Sequence, residues 1–391
     1  MTTFPARRLA VVVSHPVQYY SPWFRWMTSN GWPLRVFYLW DFGIASRHDP
    51  EFGRPILWDV DLLSGYDWEL VPNIAREPGT HHFGGLNNPS LGQRLQAWRP
   101  DVVLIFGYNY LTHLCLILGS DRPLIFRGDS HLLDRPKPPL FKTWLLTELY
   151  SRFAAVTYVG QANRDYFRAN GVPSARLFPV PHCVDAERFT PSPALLAEAA
   201  ALRSSLGLED RRIVLFAGKF IAKKQPLALL EAFLSVARAD SALVFVGDGE
   251  QLPVIQALAR NRPETAVRFL PFANQTEMPA RYLLADVLVL PSKGPGETWG
   301  LAVNEAMHLG LPCLVSDRVG CQRDLVTDGQ TGWVFSAGST EGLRFALARA
   351  LTADLTSMKA AIAGRIAGYT YPQATRGLAR AIEAAASPRI L

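Results

Sequence analysis

The chain alternates short apolar runs with segments of helical length. In the first 185 residues the runs are 9–14, 34–39, 68–71, 102–106, 124–126, 156–159 and 177–180. They are continuously apolar and do not alternate, which predicts a parallel sheet covered on both faces. The pattern restarts at 213–217, continues into a predicted helix over 227–237, and returns at 244–246, 267–270 and 286–290. In sheets of this kind ligands sit beyond the carboxyl ends of the strands. The residues that follow each run are therefore the ones to search for chemistry.

The richest of these is 291–310, Pro-Ser-Lys-Gly-Pro-Gly-Glu-Thr-Trp-Gly-Leu-Ala-Val-Asn-Glu-Ala-Met-His-Leu-Gly. Thr298 reads as a helix N-cap, Gly310 as the stop, and Pro312 as a block to continuation. A strand, a Gly-rich loop and a helix start gather free N–H groups and a positive dipole end at one spot, which suits a phosphate. Glu297 and Glu305 flank it. Carboxylates accept hydrogen bonds from vicinal hydroxyls, so the arrangement fits a nucleotide sugar. The spacing alone also allows a plainer reading, with Glu297 favouring the helix N-terminus and Glu305 solvated.

A length of 391 residues suits two domains. Hydrophobic residues make up 49% and charged residues 19%, as in a globular and not a disordered chain. The net charge of +6 is spread evenly, with 19 Lys/Arg against 16 Asp/Glu in residues 1–190 and 21 against 18 beyond. No basic arm points to nucleic acid. The balance suits anionic nucleotides or an anionic membrane surface. Cys115, Cys183, Cys313 and Cys321 show no zinc or disulfide spacing. The apolar run 9–13 is too short for a signal-peptide core or a membrane span. The expectation is a cytoplasmic protein.

Glu-x7-Glu with Gly300 three residues after the first Glu, followed by Glu-Ala-Met-x-x-Gly-x-Pro, resembles the donor-site signature of retaining glycosyltransferases of family 4, which have the GT-B fold. Segments 272–292 and 326–335 resemble the same family. The likeness is most specific over about 177–340 and weaker through the first 135 residues. It implies an α/β protein of two Rossmann-like domains facing across a cleft. Residues 1–187 would hold the acceptor, 188–368 the nucleotide sugar, and a C-terminal helix within 369–391 would cross back to the first domain. Pro181-His182-Cys183-Val184-Asp185 resembles the family's Pro-Asn-Gly-Val-Asp boundary segment, with His182-Cys183 in place of Asn-Gly.

Residue by residue, Gly218-Lys219 and Lys224 match the family's Gly-Arg-x-x-x-x-Lys-Gly, with Lys219 at the Arg position and Gln225 at the Gly. Two cations at a strand end can neutralise a diphosphate leaving group. On position alone such lysines are solvated surface. Gly247 and Phe272 are expected to shape the nucleotide pocket. Thr298, Trp299, Gly300 and Leu301 are assigned to the phosphate cradle and Glu305 to the ribose. Glu297 is assigned to the donor sugar, and His131, after the run 124–126 and beside Asp129, would face that sugar. After the first strand the chain has Ser14-His15-Pro16-Val17-Gln18-Tyr19 where many such enzymes carry a Gly-rich turn, so His15, Gln18 and Tyr19 are candidates to line the cleft. A subset of bacterial members begins with a similar His-Pro-x-Gln-Tyr. The plainer reading of that loop is packing of its aromatic residues on the domain.

Residues 41–90 form a long irregular stretch, to which acceptor recognition is assigned. Its His81-His82 pair lacks a supporting ligand by sequence spacing, and no metal site is expected. Residues 135–152 mix Lys and Arg with Phe141, Trp144, Leu145 and Leu146, as an interfacial membrane helix would, and as an ordinary helix packed on its sheet would too. The resemblance implies metal-independent hexosyl transfer with retention, from a UDP- or GDP-linked sugar to a glycan, lipid-linked or small-molecule acceptor. Surface-polysaccharide synthesis at the inner face of the plasma membrane is the setting it suggests, with no cofactor. Two alternatives stay open: a nucleotide-sugar epimerase or hydrolase on the same fold, and a non-catalytic nucleotide-sugar binder.

Overall fold

The computed structural model of the protein describes residues 7–44, 47–49, 54–56, 58–133, 139–294 and 296–387. Residues 50–53 of the irregular stretch, residues 135–138 and Pro295 lie outside these. Two parallel sheets carry the molecule. The first contains β1 (Leu9–Val13), β2 (Leu34–Tyr38), β3 (Asp67–Leu70), β4 (Val102–Phe106), β5 (Leu124–Arg127), β6 (Ala155–Tyr158) and β7 (Leu177–Pro179), in the order β3-β2-β1-β4-β5-β6-β7. The second contains β8 (Arg212–Ala217), β9 (Ser241–Val246), β10 (Val267–Leu270), β11 (Val287–Leu290), β12 (Cys313–Ser316) and β13 (Gly332–Phe335), in the order β10-β9-β8-β11-β12-β13. A short antiparallel ribbon pairs Arg47–Asp49 with Arg54–Ile56.

The continuous apolar runs have a direct cause. Successive side chains of a strand point to opposite faces, and in β1 both faces are covered. Leu9, Val11 and Val13 enter one core while Ala10 and Val12 enter another. Every expected run forms a strand, but β12 and β13 were not read from the pattern. They are four residues each, and Gly332 begins one of them. Such short runs carry little periodic signal.

Both sheets reverse their strand order beside the first strand, between β1 and β4 and between β8 and β11. Crevices form at such points in parallel sheets. In the second sheet the pairing Leu215↔Leu288 brings the carboxyl end of β8 beside that of β11. Lys219 and Glu297, far apart in sequence, thereby follow neighbouring strands.

The last helix, α6 as numbered in chain order with α1 (Ser21–Ser29), α2 (Leu140–Ser151), α3 (Gln161–Ala169), α4 (Pro226–Val236) and α5 (Leu301–His308), spans Tyr371–Ala386. It follows the second sheet in sequence but packs on the first. Ala374, Leu378, Ala381 and Ile382 are wholly buried at helical spacing among Leu9, Val11, Val102 and Leu104. Trp23 of α1 donates its indole N–H to Thr375 Oγ1 at 2.9 Å. Truncating Leu378 would open a cavity between α6 and the sheet. Leu378→Ala is expected to cost about 2–5 kcal/mol, read as a lower urea midpoint at unchanged slope. A loss under ~1 kcal/mol would mean that α6 is not part of this core.

Candidate active site

A cavity of about 290 Å³ lies between the two sheets, at the carboxyl ends of the second sheet's strands. Its floor is backbone. Gly218, after β8, and Gly247, after β9, touch so closely that a Cβ on Gly247 would lie 2.0 Å from the Gly218 carbonyl oxygen. Gly247 also has φ 140°, which a side chain would strain. Across from them α5 begins at Leu301. Thr298, the N-cap expected from sequence, does not cap it. Gly300 is the N-cap, at φ 96° and with no side-chain cap, because a Cβ there would press on Leu290 and Val319 at 2.9 Å. Gly300, Leu301 and Ala302 line the cavity. The first-turn amides of a helix have no intrahelical partners, so they and the dipole face the cavity.

Lysines stand on the opposite wall. Lys219, Lys223 and Lys224 all line the cavity, and only Lys223 was not anticipated. The chain reaches them through a 3₁₀ turn, Ala222–Lys224, and then through Gln225 in the left-handed region at φ 55°. That conformation explains the glycine in the family pattern, and Gln225 offsets part of the strain by donating its amide to Ala222 O at 2.6 Å.

Glu297 is buried against this group. Its Oε2 pairs with Lys224 Nζ and accepts from Ser292 Oγ at 2.7 Å. Its backbone carbonyl accepts from His131 Nε2–H of the first domain at 3.2 Å. The His131 tautomer follows from its partners, because Leu133 N–H donates to Nδ1 at 3.2 Å. Thr298 donates its hydroxyl across the same gap to Asp129 Oδ2 at 2.8 Å. Burial pushes the Asp129 carboxyl upward, but nearby His182, the hydrogen bond from Thr298 and the charge of Arg127 outweigh it and hold the pKa down at about 2. His182 is depressed by its own burial despite that carboxylate. His182 Nε2 and Asp129 Oδ2 lie 3.8 Å apart.

Glu305 lies one and a half turns into α5, 3% exposed. Tyr282 donates to its Oε2 at 2.6 Å, while Oε1 is buried with no hydrogen-bond partner. Tyr19 approaches the same carboxyl from the first domain and lines the cavity. Burial raises the Glu305 pKa to about 7, against the pull of Tyr282, Tyr19 and Arg188. A buried acceptor left unmet beside a cavity is costly unless a ligand meets it.

The remaining candidates fall in different places. Phe272 lines the cavity. Trp299 does not. It is buried between the domains, donates its indole N–H to Asn304 Oδ1 at 2.8 Å, and packs on His182 and Tyr369. His15 and Gln18 are absent from the cavity lining. His15 meets Trp40 and Phe42 edge-on, and burial lowers its pKa to about 4. Among the described residues the one group that could hold an ion is Glu77, His81 and His82, exposed, with ligand atoms within 4.8 Å of one another. The histidine pair does have a neighbouring carboxylate, contrary to the sequence reading, but it lies away from the cavity lining. The chain was expected to hold no Asp-x-Asp, in keeping with metal-independent transfer, but it carries one, Asp59-Val60-Asp61. Asp59 accepts from Thr276 N at 3.1 Å, and Asp61 from the amides of Leu63 and Ser64.

Comparison with known proteins agrees with this geometry. Residues 16–183 match the model of a glycosyl transferase 4-like domain, and residues 199–366 that of glycosyl transferases group 1. The chain belongs to the family 4-like glycosyltransferases. Over 218 residues this family 4-like chain is 31% identical to a GDP-mannose-dependent α-(1-6)-phosphatidylinositol monomannoside mannosyltransferase of Mycolicibacterium smegmatis, covering 54% of the chain and 56% of that protein. It is 29% identical to the sulfoquinovosyl transferase SQD2 of Arabidopsis thaliana, over 65% of the chain and 50% of the relative. The chain thus spans about half the length of the curated relatives it matches. In fold it is similar to Anabaena HepE solved with UDP and glucose, at TM-score 0.69 and 16% identity over 96% of this chain and 99% of that one. A glycosyltransferase from Rickettsia africae superposes at TM-score 0.74 and 11% identity, over 98% and 99%. The architecture is GT-B.

The raised Glu305 pKa carries a sign. Relative to the ordinary value of 4.5, a folded pKa near 7 means stability that is full below pH 4.5 and is lost as pH rises through about 7. Gln cannot ionise. The melting temperature of Glu305→Gln should therefore gain on wild type between pH 5 and pH 8, and a difference that does not change with pH would show that Glu305 is ionised throughout.

Proposed function

We propose that this protein is a retaining, metal-independent glycosyltransferase that moves a hexose from a UDP- or GDP-linked donor to a glycan, lipid-linked or small-molecule acceptor. The observation that carries the reading is the unmet, buried oxygen of Glu305 in a cavity that also holds three lysines and a helix start. A ribose hydroxyl is the kind of donor that oxygen lacks. The diphosphate would lie between Lys219, Lys223 and Lys224 and the amides at Gly300 and Leu301. The donor hexose would then rest against Glu297 and face His131.

In the reaction the bond from the anomeric carbon to the β-phosphate oxygen breaks, and its electron pair stays with the diphosphate. The acceptor oxygen forms its bond to that carbon on the same face, and its proton passes to the leaving phosphate oxygen. Lysines and helix amides stabilise charge that grows on the diphosphate. Lys224, paired with Glu297, is the group whose partner would change most.

The setting we propose is the cytoplasmic side of a membrane. Among the described residues no helix is long and apolar enough to cross one. Helix α2 buries Leu146 and Tyr150 on its sheet yet leaves Leu140, Phe141, Trp144 and Leu145 exposed around Lys142. That face supports peripheral contact with an anionic surface.

The test is release of free nucleoside diphosphate from UDP- and GDP-hexoses, with and without an extract of candidate acceptors. Turnover that requires acceptor, reduced about 10²–10³-fold in Lys224→Ala, is the expected result. Equal release without acceptor would favour a hydrolase, and tight binding without turnover a non-catalytic binder.

A further inference from the structure

The cavity runs across the sheet and has two unlike ends. Glu297 follows β11, the phosphate-facing residues Gly218 to Lys224 follow β8, and Gly247 and Phe272 follow β9 and β10. With strands ordered β10-β9-β8-β11, Phe272 and Glu297 mark opposite ends with the lysines between. The Phe272 end is lined by Gly247, Phe272, Ala273 and Met278, none of them charged. A diphosphate in the middle and a hexose at Glu297 leave this neutral end for the flat base of the nucleotide.

Trp58 also lines the cavity and, like Tyr19, comes from the first domain. The next residue, Asp59, is tied to the loop that follows Phe272 and Ala273. Its Oδ2 accepts the backbone N–H of Thr276 at 3.1 Å and the Thr276 hydroxyl as well. These bonds cross from one domain to the other at the neutral end. They hold Trp58, the preceding residue and a part of the cavity lining, next in sequence to a bond with the loop that follows Phe272 and Ala273. Every base has a π face, and aromatic side chains take bases by stacking irrespective of sequence.

We infer that Trp58 is a nucleobase-stacking residue, placed over the donor by the Asp59–Thr276 clasp, so that the base pocket is completed only when the domains are together. The inference rests on the nucleotide-sugar reading above. It adds that the first domain contributes to the base end of the donor site as well as to its sugar end. It also gives the one Asp-x-Asp of the chain a clasp in place of a metal.

The experiment is calorimetric titration of wild type, Trp58→Ala, Trp58→Phe and Asp59→Ala with UDP, GDP and pyrophosphate, with circular dichroism to confirm folding. Trp58→Ala should weaken whichever nucleoside diphosphate binds by about 10–100-fold and leave pyrophosphate, which has no base, unchanged. Trp58→Phe keeps a π face and should recover most of the loss, while Asp59→Ala should weaken the nucleotide by a smaller factor. If wild type binds neither nucleotide, the nucleotide-sugar reading itself falls. If wild type binds one and Trp58→Ala binds it equally well, only the stacking role falls. Parallel loss of nucleotide and pyrophosphate would also overturn it, because Trp58 would then be supporting the cavity as a whole.

Discussion

Glu297, Thr298 and Trp299 each engage the first domain while they shape the start of α5. The Glu297 carbonyl takes the His131 N–H, the Thr298 hydroxyl reaches Asp129, and the Trp299 ring fills the space over Gly160, where a Cβ would lie 2.4 Å away. Asn304 adds a bond to the His182 carbonyl at 3.0 Å. The residues that position the phosphate-facing helix end are therefore the ones that hold the domains together. A change in domain separation must move the cradle, and a ligand in the cradle must bias the separation, because the two share the same bonds.

The electrostatics of the cavity follow from burial as much as from charge count. Three lysines face two glutamates. Glu297 is matched by Lys224 and Ser292, whereas Glu305 sits in a desolvated niche that holds its pKa near 7. Taking a carboxylate out of water without full hydrogen bonding is unfavourable, so at neutral pH the niche carries less negative charge than the sequence suggests. The cavity then leans positive and favours an anionic ligand. Hydroxyl donors at Oε1 would stabilise the ionised form and draw the carboxyl back toward its ordinary range.

Much of the site was legible because parallel sheets impose order on sequence. Residues at strand ends gather at one edge, so Gly218, Lys219, Lys224, Gly247, Phe272, Glu297 and Glu305 could be assigned from their positions after apolar runs and from the family likeness, and all of them line one cavity. The resemblance did not distinguish groups facing the cavity from groups facing the domain seam. Thr298 and Trp299 are adjacent to Gly300 in sequence, yet they turn toward Asp129 and Asn304. His15 and Tyr19 lie in one short loop, yet one packs on Trp40 and Phe42 and the other reaches Glu305. Trp58 falls in the irregular stretch assigned to the acceptor and Lys223 was not singled out, since an irregular loop has no periodicity to read.

The sequence by itself determined the two parallel sheets and the edge on which chemistry would collect. Continuous apolar runs have no other stable arrangement than burial on both faces, and strand polarity does the rest. Only the tertiary structure decided which side chains of the Gly-rich loop enter the cavity and which seal the seam. It seated α6, which the family likeness expected to cross back, against particular residues of the first domain, left one oxygen of Glu305 unmet, and brought Asp59 to Thr276. Those outcomes depend on contacts between residues up to 352 positions apart, as between Trp23 and Thr375, and on the desolvation that such contacts create, neither of which local pattern encodes.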